Sequence, residues 1–219
     1  MNQIMPGEDL QAAIDAAGCG TLYLSVGEYV HTGIRITRPV TIIGAGWMWE
    51  GSVLRNVGDG PNITIDNPDM TGAKLASVML TGNGDGVLVQ GEGNNLIERI
   101  YCLEVTGHGV RFSPEHHSTM FSVIGCRFQR CGQAAIYGRT KPTAQVNAIN
   151  IRGNHIIQNF SDGVSVYANG IWMNENIIQG NAGRGICVPL STTTSKINDL
   201  KNRNYFESNS GGDVVRVSE

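Results

Sequence analysis

Side chains able to move a proton or hold an anion crowd into two short stretches of this chain. Arg111 is followed by Ser113-Pro114-Glu115-His116-His117-Ser118, and further on comes Tyr137-Gly138-Arg139-Thr140-Lys141-Pro142. Arginine and lysine neutralise a carboxylate, while tyrosine or histidine removes the proton beside it, which is what elimination at an acidic sugar requires. Two glycine-bracketed turns add Asp85, in Gly84-Asp85-Gly86-Val87, and His108, in Gly107-His108-Gly109-Val110. A solvated loop edge is the alternative reading of the whole cluster, and a hydrogen-bonded turn residue the alternative for His108.

Whether these residues meet depends on the elements beneath them, and the second half of the chain shows what those are. Asn154 with Asn159, Asn176 with Asn181, and Asn204 with Asn209 repeat one spacing, each pair preceding a short β-branched run. Self-similarity with a period of roughly 20 to 50 residues marks a repeat architecture. The apolar residues alternate in short runs bounded by Gly, Asn and Ser, so each repeat holds several brief strands. Stacked coils pair their backbones at the strand spacing, and an Asn recurring at one turn position can bond its neighbour's amide. One coil earlier Cys126 and Cys131 take the two Asn positions, as packed thiols rather than a reactive pair. Earlier still the positions fall to Ile100 with Val105, and Ser77 with Gly82.

Read as columns, Met79, Cys102, Phe128, Ile156, Ile178 and Phe206 form one core row, and Val87, Val110, Ile136, Val164, Ile186 and Val214 another. Arg111, Tyr137, Ser165 and Cys187 then alternate outward. The turn column ahead of the second row reads Asp85, His108, Ala134, Asp162, Arg184 and Gly212, which places Asp85 and His108 one coil apart, and likewise Asp162 and Arg184. Asp162 and Arg184 read as a surface ion pair, with a place on the substrate edge as the alternative. Asp85 and Asp162 lie three coils apart, about 14 Å at the strand spacing, beyond the ~5–9.5 Å separating the carboxyl pair of a glycoside hydrolase.

Composition fits this architecture: 29 Gly, 16% charged and 6% aromatic residues among 219 suit many tight turns around aliphatic rows. A net charge of -3 with scattered Lys and Arg carries no nucleic-acid footprint. There is no apolar run long enough for a membrane helix. Met1 to Pro6 lacks a basic region followed by an apolar stretch, so no signal peptide is read there; the expectation is cytoplasmic folding followed by action on a virion or outside the cell. Five cysteines at unrelated spacings make neither a disulfide framework nor a CxxC metal site. No cofactor is expected. Asp59, Asp66 and Asp69 could serve calcium, but their spacing does not single out a site, and His116-His117 lacks a partner ligand at metal spacing.

Leu10, Ala13, Ile14 and Ala17 follow Gly7-Glu8-Asp9 at helical spacing and precede Gly18 and Gly20, giving a short amphipathic helix that covers the first coil. That stretch, Asp9-Leu10-Gln11-Ala12-Ala13-Ile14-Asp15, is followed by Gly20-Thr21-Leu22-Tyr23-Leu24-Ser25-Val26-Gly27-Glu28-Tyr29 and Ile42-Ile43-Gly44-Ala45-Gly46. In this order the three resemble the opening of the pectate-lyase-like right-handed β-helix superfamily, which includes polysaccharide lyases, polygalacturonases, epimerases and bacteriophage tailspikes. The resemblance implies an all-β fold, a single-stranded right-handed parallel β-helix with an N-terminal capping α-helix: residues 1–20 as cap, residues 21–219 as one solenoid of about seven or eight coils. It specifies the fold and leaves the chemistry open, because lyases, hydrolases, epimerases and adhesins share it. Gly107-His108-Gly109 resembles the glycine-histidine-glycine motif of polygalacturonases, but the adjacent Asp-Asp pair of that family is missing.

Two functions follow as expectations. One is a polysaccharide lyase, with a glycoside hydrolase behind it, drawing its catalytic groups from Asp85, His108, Arg111, His116, His117, Tyr137, Arg139 and Lys141, and its substrate contacts from Glu115, Asp162, Trp172 and Arg184. The other is a non-catalytic glycan-binding or structural module of a virion or cell surface. Trp47, Trp49 and Trp172 should project outward, as sugar platforms or as anchors against a partner chain. Pro189 to Lys196 reads as a flexible polar insertion. A short rod with outward Trp172, Cys187 and Val215 exposes more apolar surface than a monomer tolerates, which leads to the expectation of a parallel homotrimer.

Overall fold

A computed structural model of the protein describes residues 2–67, 70–116, 118–138, 146–167 and 169–218. The chain winds through about seven turns of a parallel β-solenoid. Each turn supplies short strands to three sheets, and all strand pairs are parallel. The third sheet, which carries the candidate site, has eight strands: Ile34–Ile36, Ile63–Ile65, Val87–Val89, Val110–Phe112, Ile136–Gly138, Val164–Val166, Ile186–Pro189 and Val214–Val217.

Its inward row is the predicted one. Val87, Val110, Ile136, Val164, Ile186 and Val214 stand residue opposite residue, and Ile63 and Ile34 continue the row toward the N-terminus. All are buried, and removal of these apolar surfaces from water holds successive coils together. The second sheet corrects one position. Tyr101 pairs with Met79 and Cys102 with Leu80, so Leu80, not Met79, fills the core row with Cys102, Phe128, Ile156 and Ile178. Met79 lies on the other face, in a small buried cluster with Val53, Tyr101 and Leu103. Strands here are apolar on both faces, so alternation alone does not fix which face is inside.

The asparagine ladders form as continuous chains. Asn154 Nδ2 donates to Asn176 Oδ1 (2.9 Å) and Asn176 Nδ2 to Asn204 Oδ1 (2.8 Å). Asn159 Nδ2 donates to Asn181 Oδ1 and Asn181 Nδ2 to Asn209 Oδ1, both at 2.8 Å. The same acceptors also take backbone N–H groups of the preceding coil, so one Oδ1 serves two donors. Cys126 and Cys131 occupy the predicted positions: their backbone N–H groups donate to Asn154 Oδ1 and Asn159 Oδ1, and both thiols are free and buried. The residue before most ladder positions turns the corner with positive φ, as at Gly153, Gln158, Glu175, Gly180 and Ser208; Arg203, before Asn204, instead ends α2. Ser77 (φ 57°) and Gly82 (φ 101°) have this positive-φ conformation, and the buried residue after Ser77 is Val78.

At the N-terminal end, α1 (Leu10–Ala17) is capped by Asp9, whose side chain accepts from Ala12 N–H, and buries Leu10 and Ile14 against the first coil. A strand that sequence reading missed, Asn2–Ile4, precedes it and pairs with Thr21–Leu24. At the other end, the segment read as a flexible insertion contains α2 (Thr194–Arg203), capped by Thr193 and burying Leu200. Outward on the third sheet, Arg111, Tyr137, Ser165 and Cys187 stand in register. Cys187 and Ser165 are nevertheless buried, so Cys187 adds no exposed apolar surface; Trp49, Phe160, Trp172 and Leu190 do.

Candidate active edge on the third sheet

Four residues predicted from different coils meet at one place. Asp85 sits in the turn entering its third-sheet strand, and its Oδ1 accepts the backbone N–H of His108, one coil later, at 2.8 Å. Its Oδ2 accepts Arg111 Nε at 2.5 Å. Gly107 makes this approach feasible, because a Cβ there would collide with Asp85 Oδ1. The next coil brings Tyr137 opposite Arg111 in the sheet, and its ring stacks on His108 with centroids 4.4 Å apart and planes 15° from parallel.

The electrostatics of this group follow from burial. His108 is buried, which pushes its pKa below the ordinary histidine value; the nearby Asp85 carboxylate works in the opposite direction without reversing the shift. The imidazole is therefore neutral near pH 7, and its Nδ1 is buried without a hydrogen-bond partner. Arg111 stays one-third exposed while its Nε is held by a carboxylate that is itself only 11% exposed. The guanidinium is thus held through Nε while the side chain stays partly exposed, a placement that suits recognition of an external carboxylate.

The neighbouring loop adds a second, looser group. Ser113 Oγ and His116 Nδ1 are 3.0 Å apart, and Glu115 N–H donates to Ser113 Oγ at 3.3 Å; His116 and Glu115 are exposed. His117, Arg139 and Lys141 lie outside the described residues.

Asp162 and Arg184 do not form the expected ion pair. Asp162 Oδ1 accepts the backbone N–H of Arg184 (2.8 Å), and Oδ2 accepts the Cys187 thiol (3.1 Å). Burial and the adjacent carboxylate push that thiol up to about 11. This arrangement repeats the Asp85 group three coils further on, with Gly183 in the place of Gly107. Trp172 projects from the first sheet and is 57% exposed; Trp47 and Trp49 project as expected, with Trp47 set edge-on to Tyr101 at 6.4 Å. No group of three or more potential metal ligands occurs among the described residues. The bond between Asp85 and His108 N–H and the His108–Tyr137 stack were not read from sequence; the one-coil spacing brought the residues close, and side-chain geometry supplied the contacts.

Residues 51–210 match the family model for a right-handed β-helix region. No curated protein matches the sequence. Among solved structures, the Agl-KA catalytic domain is similar with a TM-score of 0.52 and 15% identity, over 95% of this chain and 45% of that one. Geobacillus virus E2 ORF18 is similar with a TM-score of 0.49 and 14% identity, over 95% of this chain and 57% of that one. This chain thus spans about half the length of each of these two proteins. The A-module of the Azotobacter vinelandii mannuronan C-5 epimerase AlgE4 aligns over 95% of this chain and 91% of its own, with a TM-score of 0.27 and 15% identity. With the solenoid, its three parallel sheets and the match over most of its length, the chain belongs to the right-handed β-helix family.

Proposed function

We propose that this protein acts on an acidic polysaccharide and cleaves it by elimination at the edge formed by Asp85, His108, Arg111 and Tyr137. The observation that carries this reading is the fixed guanidinium of Arg111 beside a neutral imidazole stacked on a tyrosine. In the proposed reaction Arg111 pairs with the uronate carboxylate, which acidifies the adjacent C–H. His108 or Tyr137 takes that proton, the C–O bond to the leaving sugar breaks, the leaving oxygen takes a proton from the other of the two or from water, and a C=C bond remains in the product. Asp85 positions Arg111 and the His108 turn. His116 and Glu115 add polar groups from the loop that follows, and the sequence offers His117, Arg139 and Lys141 as further candidates.

A non-catalytic glycan-binding or virion-type module is the second reading, favoured by the exposed indoles of Trp49 and Trp172. Hydrolysis is favoured less, because Asp85 and Asp162 are three coils apart and each is engaged by its own turn. Incubation with alginate, pectate, hyaluronan and neutral glucans separates these readings. Ultraviolet absorbance from an unsaturated uronate supports elimination, new reducing ends without it support hydrolysis, and a raised Tm without products supports binding alone. The same proposal extends to assembly as a parallel homotrimer acting on a virion or outside the cell, with exposed Trp49, Phe160, Trp172 and Leu190 as the surface to be covered. Light scattering giving the 23.5 kDa mass of one chain would overturn that extension.

A further inference from the structure

A groove of about 330 Å³ lies between the strand Asn169–Asn174 and α2, well apart from the Asp85 edge. Trp172 forms one wall. Its six-membered ring lies along the strand beside Gly170, 3.7 Å from where a Cβ would stand. Lys196, in the first turn of α2, also lines the groove, as do Ser191 and Thr192. The Lys196 ammonium donates to the Ile171 carbonyl at 3.2 Å; an ammonium has three donors, so two remain for a ligand. Arg216 ties the turn down by donating to the Thr192 carbonyl (3.0 Å) and to Thr194 Oγ1 (3.1 Å), and brings a second positive charge. None of the residues lining the groove is acidic.

We infer that this groove is a separate binding site for an anionic sugar ring, with the Trp172 indole stacking against its C–H face and Lys196 holding its carboxylate. Aromatic rings supply apolar area with a defined face. A compact ammonium already fixed to a carbonyl pairs with an anion at little further ordering cost. The volume falls at the lower end of the ~300–1,000 Å³ range of small-ligand sites, which suits a terminal or single ring more than a long chain. The site would hold an acidic polysaccharide on the rod while a different stretch meets the Asp85 edge. The inference takes its ligand class from the proposed function but uses none of the proposed catalytic residues.

The test is calorimetric titration of the full chain with galacturonate, mannuronate and neutral malto-oligosaccharides, repeated with Trp172→Ala and Lys196→Gln. The expected result is binding of galacturonate or mannuronate that each variant weakens by about tenfold or more, with neutral oligomers bound weakly. Acidic binding that both variants retain would overturn the groove while leaving the lyase reading intact. Equal binding of neutral and acidic oligomers would overturn the anionic assignment. Absence of any binding would overturn the groove, and the product assay with unmodified protein then decides separately whether the lyase reading survives.

Discussion

The Asp85 and Asp162 turns are two copies of one device with different outcomes. In each, Oδ1 accepts the N–H of the residue set between two glycines one coil later, at 2.8 Å, and Oδ2 accepts a side chain three positions further on. In the first copy that side chain is Arg111, which keeps a charge at the surface, and the following coil lays Tyr137 on His108. In the second it is Cys187, buried and neutral, and the outward position of the following coil is Val215. The solenoid supplies the same backbone bracket to both, and the residue at that third position decides whether a guanidinium or a buried thiol meets the carboxylate. The ladders offer a further contrast, since there identical Asn side chains satisfy one another and present nothing to a ligand.

The sharpest way to break this comparison is to convert the first copy into the second. Arg111→Cys should keep the Asp85 turn closed by a thiol while elimination falls by about 100-fold or more, because the carboxylate-neutralising group is gone; product absorbance against Tm reads both. A large loss of Tm instead would show that Arg111 serves stability first. Next in size is Asn181→Leu, which leaves the Asn159 N–H without its partner and takes one of two hydrogen bonds from Asn159 Nδ2 and one of two from Asn209 Oδ1. At ~1–3 kcal/mol for an unsatisfied buried group, a loss of about 1–3 kcal/mol is expected in denaturant unfolding. No change would remove the ladder from the account of stability.

Smaller effects come from protons and thiols. Burial pushes His31 down to about 4, and its Nδ1 accepts the Gly33 N–H. The unfolded chain binds a proton near pH 6.5 that the folded chain refuses, so this contribution to stability is complete above pH 6.5 and is lost as the pH falls toward 4. It amounts to roughly 1–3 kcal/mol, and His31→Gln should flatten the pH dependence of Tm in that interval. His108 acts in the same direction. Smallest is the effect of reductant: Cys126 and Cys131 are free, buried ladder residues, and burial pushes the Cys126 thiol up to about 12, so dithiothreitol should leave Tm unchanged. A mass-spectrometric disulfide would contradict this.

The rows and ladders were legible in the sequence because each repeats one residue type at one position, and stacking converts that recurrence directly into contacts. The Met79 row failed by one residue because Val53, Met79, Tyr101 and Leu103 make the outer face of the second sheet apolar too, so hydrophobicity did not mark the inside. α2 was hidden by the polar run Ser191 to Ser195, although Thr193, Ile197 and Leu200 carry the cap and spacing of a helix. At the candidate site, column reading brought Asp85, His108, Arg111 and Tyr137 to neighbouring coils. It could not show that Asp85 binds a backbone N–H rather than the imidazole, nor that the imidazole stacks on Tyr137, because both depend on rotamers and not on period.

The central claim is that chemistry resides at the Asp85 copy and not at its structural twin. The most direct measurement is the initial rate of unsaturated-uronate formation from the best acidic polysaccharide, compared for the unmodified protein, Asp85→Asn and Asp162→Asn at matched folded fraction. The account predicts a loss of about 100-fold or more for Asp85→Asn, with Asp162→Asn retaining most of the rate. Equal rates for the two variants, or a greater loss in Asp162→Asn, would contradict it.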